Sequence, residues 1–409
     1  MKPMGPIPSG FGADDDGRLL IGGRGVEALI SKAGDTPLFV YDMALIRSRI
    51  ASLRVALPDE VALHYAIKAN PLPSLVAAIC TLVDGLDVAS EGEMRVALNA
   101  GGSHISFAGP GKRDRELESA ILSGVTLNLE SQGEADRALA TADILGIQPK
   151  LAVRVNPDFD LRGSGMRMGG GAKPFGVDAA QVPALVKRLI AAGADWRGFH
   201  IFAGSQALDA DAIAETQENT ISLAAKLSDM IGASPPLVNL GGGFGIPYFP
   251  GDTPVDISVI GARLAASLNS RQSILRETNF AIELGRYLVG EAGVYLTRIV
   301  DRKVSHGETF LVVDGGMHHQ LAASGNFGTV VRRNYPLANA SRFAATADEK
   351  VSVVGCLCTP LDLLGNQVML PKSESGDVIA IFVAGAYGRT ASPTGFLGHP
   401  DPREMLINE

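Results

Sequence analysis

The chain has 409 residues, 46% hydrophobic and 20% charged, with 36 Lys and Arg against 44 Asp and Glu and a formal net charge of −8. That length points to two structural units, the apolar content excludes extensive disorder, and the negative charge argues against a nucleic-acid partner. Three cysteines (Cys80, Cys356 and Cys358) do not make a secreted disulfide scaffold, no apolar run is long enough for a bilayer, and residues 1–16 lack the apolar core of a secretory signal, so a cytoplasmic protein with no membrane partner is expected.

From about Leu38, short β-rich runs alternate with amphipathic helical patterns, as βα units of a parallel sheet do. Strands are expected at 61–68, 86–90, 105–109, 126–130, 151–156, 198–204, 237–241 and 280–285, and helices between them at 72–83, 91–100, 181–192 and 212–231 among others. Eight such strands suit a closed (β/α)8 TIM-like barrel better than an open sheet. The Gly-rich stretch 163–171 reads as a plain surface loop in preference to an active-site lid. After Gly290 the rhythm changes. Segments 294–300, 309–313, 351–356 and 378–384 are separated by turn residues with little helical period, as in an all-β domain, and the early strand 38–41 can pair into it. The expected division is a barrel over 43–289 and a β domain over 1–42 plus 290–409.

In such a barrel the reacting groups lie at the C-terminal strand ends. Lys68 closes an apolar β run. It is either a desolvated amine able to attack a carbonyl or a lysine that snorkels to water. Gly241, Gly242 and Gly243 follow another strand. They can bring backbone N–H groups to a phosphate, without the spacing of a nucleotide motif, or form only a tight turn. Ser205 could add a hydroxyl to the same anion. Glu283 and Arg286, three apart, form either a local ion pair or two separate contacts, Glu283 to a ring nitrogen and Arg286 to an anion. Neither the cysteines nor the His318-His319 pair comes with a full ligand set, so no metal is expected.

Taken together, the motifs resemble those of the fold-type III pyridoxal-phosphate decarboxylases, the diaminopimelate and ornithine decarboxylase group, which share the alanine-racemase-like fold. The matches run in order along nearly the whole chain. They are Tyr65-Ala66-Ile67-Lys68-Ala69-Asn70, Asp87-Val88-Ala89-Ser90 with Glu93, Arg154-Val155-Asn156-Pro157, Gly204-Ser205-Gln206, Gly241-Gly242-Gly243, Glu283 to Arg286, Asp314-Gly315-Gly316-Met317, Cys358 with Asp362, and Gly385-Ala386-Tyr387-Gly388. The resemblance implies that Lys68 carries pyridoxal 5'-phosphate as a Schiff base. Asp87, Arg154 and Phe202 lie beside the ring, and Glu283 pairs with its nitrogen. Ser205, Gly241, Gly242, Gly243, Arg286 and Tyr387 hold the phosphate. Cys358 reaches over from the partner subunit of a homodimer with shared active sites and handles the proton returned to Cα.

Three departures bear on the substrate. Phe202 stands where the family has a ring-stacking histidine; it can stack but brings no charge. Thr359 follows Cys358 where an acidic residue usually meets a distal ammonium. Gln320-Leu321 replaces an Arg-Pro pair that serves a substrate carboxylate; Arg332 and Arg333 are either substitutes for it or, the favoured reading, a solvated pair. The expectation is decarboxylation of an amino acid, or of a carrier-protein-linked aminoacyl group, with a neutral or tethered distal end near Thr359, Asp362 and Arg333. Alternatives are meso-diaminopimelate decarboxylase, an amino-acid racemase and a non-catalytic regulatory homologue.

Overall fold

The computed structural model describes residues 2–325 and 333–409. Two compact units emerge, one of Met1–Arg49, Ile246–Thr253 and Arg286–Glu409, the other of Ile50–Gly245 and Pro254–Gly285. Their boundaries fall a few residues inside those expected from the change of rhythm, and residues 246–253 pack with the β unit although they lie between two barrel strands in the chain.

Strand β1 (Leu38–Asp42) belongs to the β unit. The barrel strands follow in chain order: β2 (Val61–Ala66), β3 (Gly85–Val88), β4 (Ile105–Phe107), β5 (Thr126–Leu129), β6 (Lys150–Asn156), β7 (Asp195–Ile201), β8 (Leu237–Asn239) and β9 (Asn279–Leu284). Each pairs in parallel with the next, and β9 closes the ring on β2 with Glu283 opposite His64. The strands are buried along most of their length, because helices cover the outside and side chains fill the inside. Side-chain caps start several of these helices: Ser90 accepts from the N–H of Glu93, and Ser131 from that of Glu134.

The glycine-rich stretch is more than a plain loop. Met166–Arg167 pairs antiparallel with Gly204–Ser205, and the N–H groups of Met168 and Gly169 both reach the carbonyl of Ala203. A Cβ on Gly204 would lie 2.8 Å from Leu161 and 2.9 Å from Ser164. The glycine at 204 therefore lets this stretch pack onto the strand end that carries Ser205.

In the β unit, β10 (Gly293–Ser305) is the long central strand. It pairs antiparallel with β1, with β11 (Glu308–Val313) and with β15 (Val378–Ile381). Strand β12 (Leu337–Asn339) lies beside β15; β13 (Glu349–Val354) joins β11 to β14 (Leu363–Leu370); and β16 (Arg403–Ile407) runs parallel to β1. Among the described residues, no helix is long and apolar enough to cross a membrane.

Candidate active site

The carboxyl ends of the barrel strands gather the charged side chains. Glu283 on β9 is buried, and its Oε2 lies 2.9 Å from His200 Nε2 on β7 and accepts from Asn239 Nδ2 on β8 at 3.1 Å. Burial works to raise the pKa of this carboxyl, but His200, Lys68 and Arg154 together hold it down at about 2. On β2, His64 Nδ1 sits 3.2 Å from Asp87 Oδ2 on β3. Burial opposes the charged imidazole there, and Asp87, with Glu283 and Asp84, more than offsets it, raising the pKa. Arg154 on β6 forms a buried ion pair with Glu130, just past β5, at 2.9 Å and stacks over Phe175. Glu130 also accepts from the N–H groups of Gly109 and Gly176, so its carboxylate is shared among three donors.

Lys68 sits on a 3-10 turn (Ile67–Ala69) after β2, with its ammonium 5.4 Å from the centre of the Phe202 ring. It is exposed, so the sequence argument from a desolvated amine does not apply; its accessibility and its aromatic neighbour single it out instead. Beyond β8, Gly241 and Gly243 have φ of +71° and +83°, and a Cβ on Gly242 would lie 1.9 Å from the carbonyl oxygen of Glu283. Only glycine allows this path. The Gly241 N–H is taken by Asn239 Oδ1, whereas among the described residues the N–H groups of Gly242 and Gly243 have no protein acceptor. Two such backbone donors at a strand end make an anion cradle.

In the β unit, Arg286 opens a short helix (Arg286–Val289). Its Nη1 donates to the Tyr248 hydroxyl at 2.9 Å, the guanidinium lies 4.7 Å from the Tyr387 ring, and its buried Nε has no partner among the described residues. No carboxylate among the described residues pairs with it, so the Glu283–Arg286 local ion pair does not form. This leaves the guanidinium available to an anion such as a phosphate. Cys358 is exposed, Thr359 is half-buried, and Arg333 is exposed over the Phe249 ring; Arg332 lies outside the described residues.

Asp362 has a structural task. It is buried, and its two oxygens accept from the N–H groups of Met317 at 2.6 Å and Leu357 at 2.9 Å. A carboxylate used in this way clamps two turns together. The expected absence of further ligands around His318-His319 is corrected, because the fold brings Cys356 and His399 to His318. Sequence reasoning missed Glu130, Asn239, Tyr248 and the role of His200. Glu130 carried the signal that marked Lys68, a charged residue closing an apolar β run, but Asn239 and Tyr248 carried none.

A model of the pyridoxal binding domain of pyridoxal-dependent decarboxylases matches residues 43–290. The chain is 36% identical over 385 residues to the L-glutamyl-[BtrI acyl-carrier protein] decarboxylase of Niallia circulans, covering 92% of this chain and 90% of that protein. It is 32% identical over 409 residues to the diaminopimelate decarboxylase of Methanothermobacter thermautotrophicus, covering 97% and 92%. The crystal structure of diaminopimelate decarboxylase from M. jannaschii with L-lysine superposes with a TM-score of 0.86 at 26% identity, covering 97% and 92%. A barrel with a β unit, an accessible lysine and an anion cradle defines a cofactor-dependent enzyme of the alanine-racemase-like fold. The chain belongs to the pyridoxal-dependent decarboxylase family: it is a carboxy-lyase that uses pyridoxal phosphate.

Proposed function

We propose that this decarboxylase acts on an amino acid with a neutral or tethered distal group, foremost an aminoacyl group held on a carrier protein, and that it works in the cytoplasm as a homodimer with shared active sites. One observation carries the substrate reading: Thr359, uncharged, follows Cys358 where a distal ammonium would need an acid, and Asp362 nearby is already engaged by two backbone N–H groups. A free diamino acid would bury an unpaired ammonium there, at about 2 kcal/mol or more. Similarity to a decarboxylase whose substrate rides on an acyl-carrier protein supports the same reading.

Pyridoxal phosphate, when bound, supplies a sink for the electron pair left as carboxylate departs. We assign Lys68 to the cofactor aldehyde and the free N–H groups of Gly242 and Gly243, with Gly241, Ser205, Arg286 and Tyr387, to the phosphate. Asp87, Arg154 and Phe202 take the flanks of the ring. Glu283 takes the ring nitrogen, a role supported by the low pKa that keeps its carboxylate charged. Cys358 handles the proton at Cα, and its exposure suits delivery to a partner subunit. Thr359 and Arg333 border the substrate.

Purified enzyme offered free meso-diaminopimelate, free ornithine and lysine, and carrier-linked aminoacyl groups should release CO2 chiefly from the last. Rapid turnover of free meso-diaminopimelate refutes the substrate reading. Absorbance near ~420 nm, characteristic of cofactor bound to lysine, should vanish in Lys68→Ala.

A further inference from the structure

Three segments of the β unit bring soft ligand atoms together. His318 follows the turn after β11, Cys356 leaves β13, and His399 stands in the loop before β16. One ligand atom from each lies within 4.8 Å of the others. The Cys356 Sγ is 3.8 Å from His399 Nδ1 and 3.9 Å from its Nε2, and the rings of His318 and His399 are 5.2 Å apart.

The two adjacent histidines have different surroundings. The Nε2–H of His319 donates to the Pro400 carbonyl, which leaves its Nδ1 to accept from the Tyr295 hydroxyl, both at 3.0 Å. That imidazole is satisfied. His318 is 0% exposed, and among the described residues neither of its ring nitrogens has a partner. An imidazole buried without any partner is costly, and such orphaned groups call for an explanation.

We propose that His318, Cys356 and His399 bind a divalent transition-metal ion of the zinc class, with a fourth position open to water. One thiolate and two imidazoles suit a borderline-soft ion, and the set offers no oxygen donor for magnesium or calcium. A tetrahedral ion with sulfur at about 2.3 Å and nitrogen at about 2.0 Å spaces its ligand atoms about 3.3–3.6 Å apart. The Cys356–His399 separation is already close to that, and side-chain rotation closes the remainder. As the metal–sulfur bond forms, the thiol proton passes to solvent and a metal-bound water leaves.

The surroundings hold the ligands before an ion arrives. Asp362 joins the residue before His318 to the residue after Cys356 through the N–H groups of Met317 and Leu357. Gly316 and Gly355 make room for that carboxylate, since a Cβ on either would come within 2.5 Å and 2.1 Å of it. Clamping of this kind by groups outside the ligand set raises metal affinity. Residues 395–398, which precede His399 in the chain, are exposed, and His399 itself is half-buried. Cys356 and Cys358 share one turn, so a bound ion also stiffens the segment carrying Cys358; binding itself does not depend on the decarboxylase reading.

The test uses the full-length holoenzyme, stripped with a chelator and titrated with Zn2+ and, separately, Co2+. About one ion per chain should bind. Cobalt should give the intense visible d–d bands of a four-coordinate site, read at long wavelengths away from pyridoxal absorption, together with a thiolate charge-transfer band. Cys356→Ser should abolish the charge-transfer band and weaken zinc about 100-fold or more, beyond what loss of an outer-shell contact costs. His399→Gln should weaken zinc comparably, and Cys80→Ser should change neither. His318→Gln is left out because a fully buried position risks misfolding. The proposal fails if stripped enzyme takes up no ion at micromolar metal, or if Cys356→Ser binds zinc and colours with cobalt as the wild type does.

Discussion

Replacing Glu130 with alanine strands the Arg154 guanidinium inside the barrel. The two side chains are 2% and 9% exposed, and their ion pair spans 2.9 Å. Removing one partner of a buried pair costs about 3–5 kcal/mol, because the remaining charge cannot be hydrated. At about 2–4 °C per kcal/mol for a unit of this size, that lowers Tm by roughly 6–20 °C. Glutamine should cost less, about 1–3 kcal/mol, since its oxygen can still accept from Arg154 while its amide N–H2 faces the N–H of Gly176. A double-mutant cycle with Arg154→Ala should give a coupling of about 1–3 kcal/mol, because once the guanidinium is gone the loss of Glu130 strands no charge. Circular dichroism of thermal unfolding measures all four proteins, and absorbance follows pyridoxal phosphate retention, which should fall with Arg154 misplaced. If Glu130→Ala melts within about 2 °C of the wild type, or the cycle shows no coupling, the pair is not the buried anchor described.

Acidification tests Glu283. Its folded pKa of about 2 lies below the ordinary 4.5, so its charge contributes stability that is fully present above about 4.5 and lost as pH falls toward 2, by up to about 3 kcal/mol. Denaturant titrations should show the wild-type advantage over Glu283→Gln shrinking from pH 6 to pH 3; a constant gap contradicts the assignment. Gly242→Ala drives a Cβ into the Glu283 carbonyl, so backbone must move, at about 1–3 kcal/mol with loss of bound cofactor; an unchanged melting curve and full 420 nm absorbance, near ~420 nm for the lysine-bound cofactor, would contradict the close approach. Thr359→Glu supplies the missing partner for a distal ammonium. The kcat/KM ratio of free diamino acids to carrier-linked substrate should rise about 10- to 30-fold, and no change in that ratio removes Thr359 from the specificity site.

The barrel was legible because each βα unit announces itself locally. Alternating and 3.6-residue periods depend only on neighbours along the chain, and the eight expected strands all form, most ending a few residues short of the expected range. The strand 38–41 does pair into the β unit, as expected. Motif order along the chain pointed to the family, and the family model matches residues 43–290.

What tertiary structure decided was which side chains meet. That His200 holds Glu283, that Glu130 holds Arg154 and that Asp362 is spent on two backbone N–H groups depend on strands and turns far apart in sequence. The glycine-rich stretch 163–171 looked like a free loop because its partner, Gly204–Ser205, lies well beyond any local pattern. His318 looked unaccompanied for the same reason, with Cys356 and His399 arriving from other strand ends. Periodicity is a property of adjacent residues and survives in the sequence alone. Ligand sets, ion pairs and clamps are fixed by distances of a few ångströms between remote segments, and those distances exist only once the strands have paired and the helices have packed.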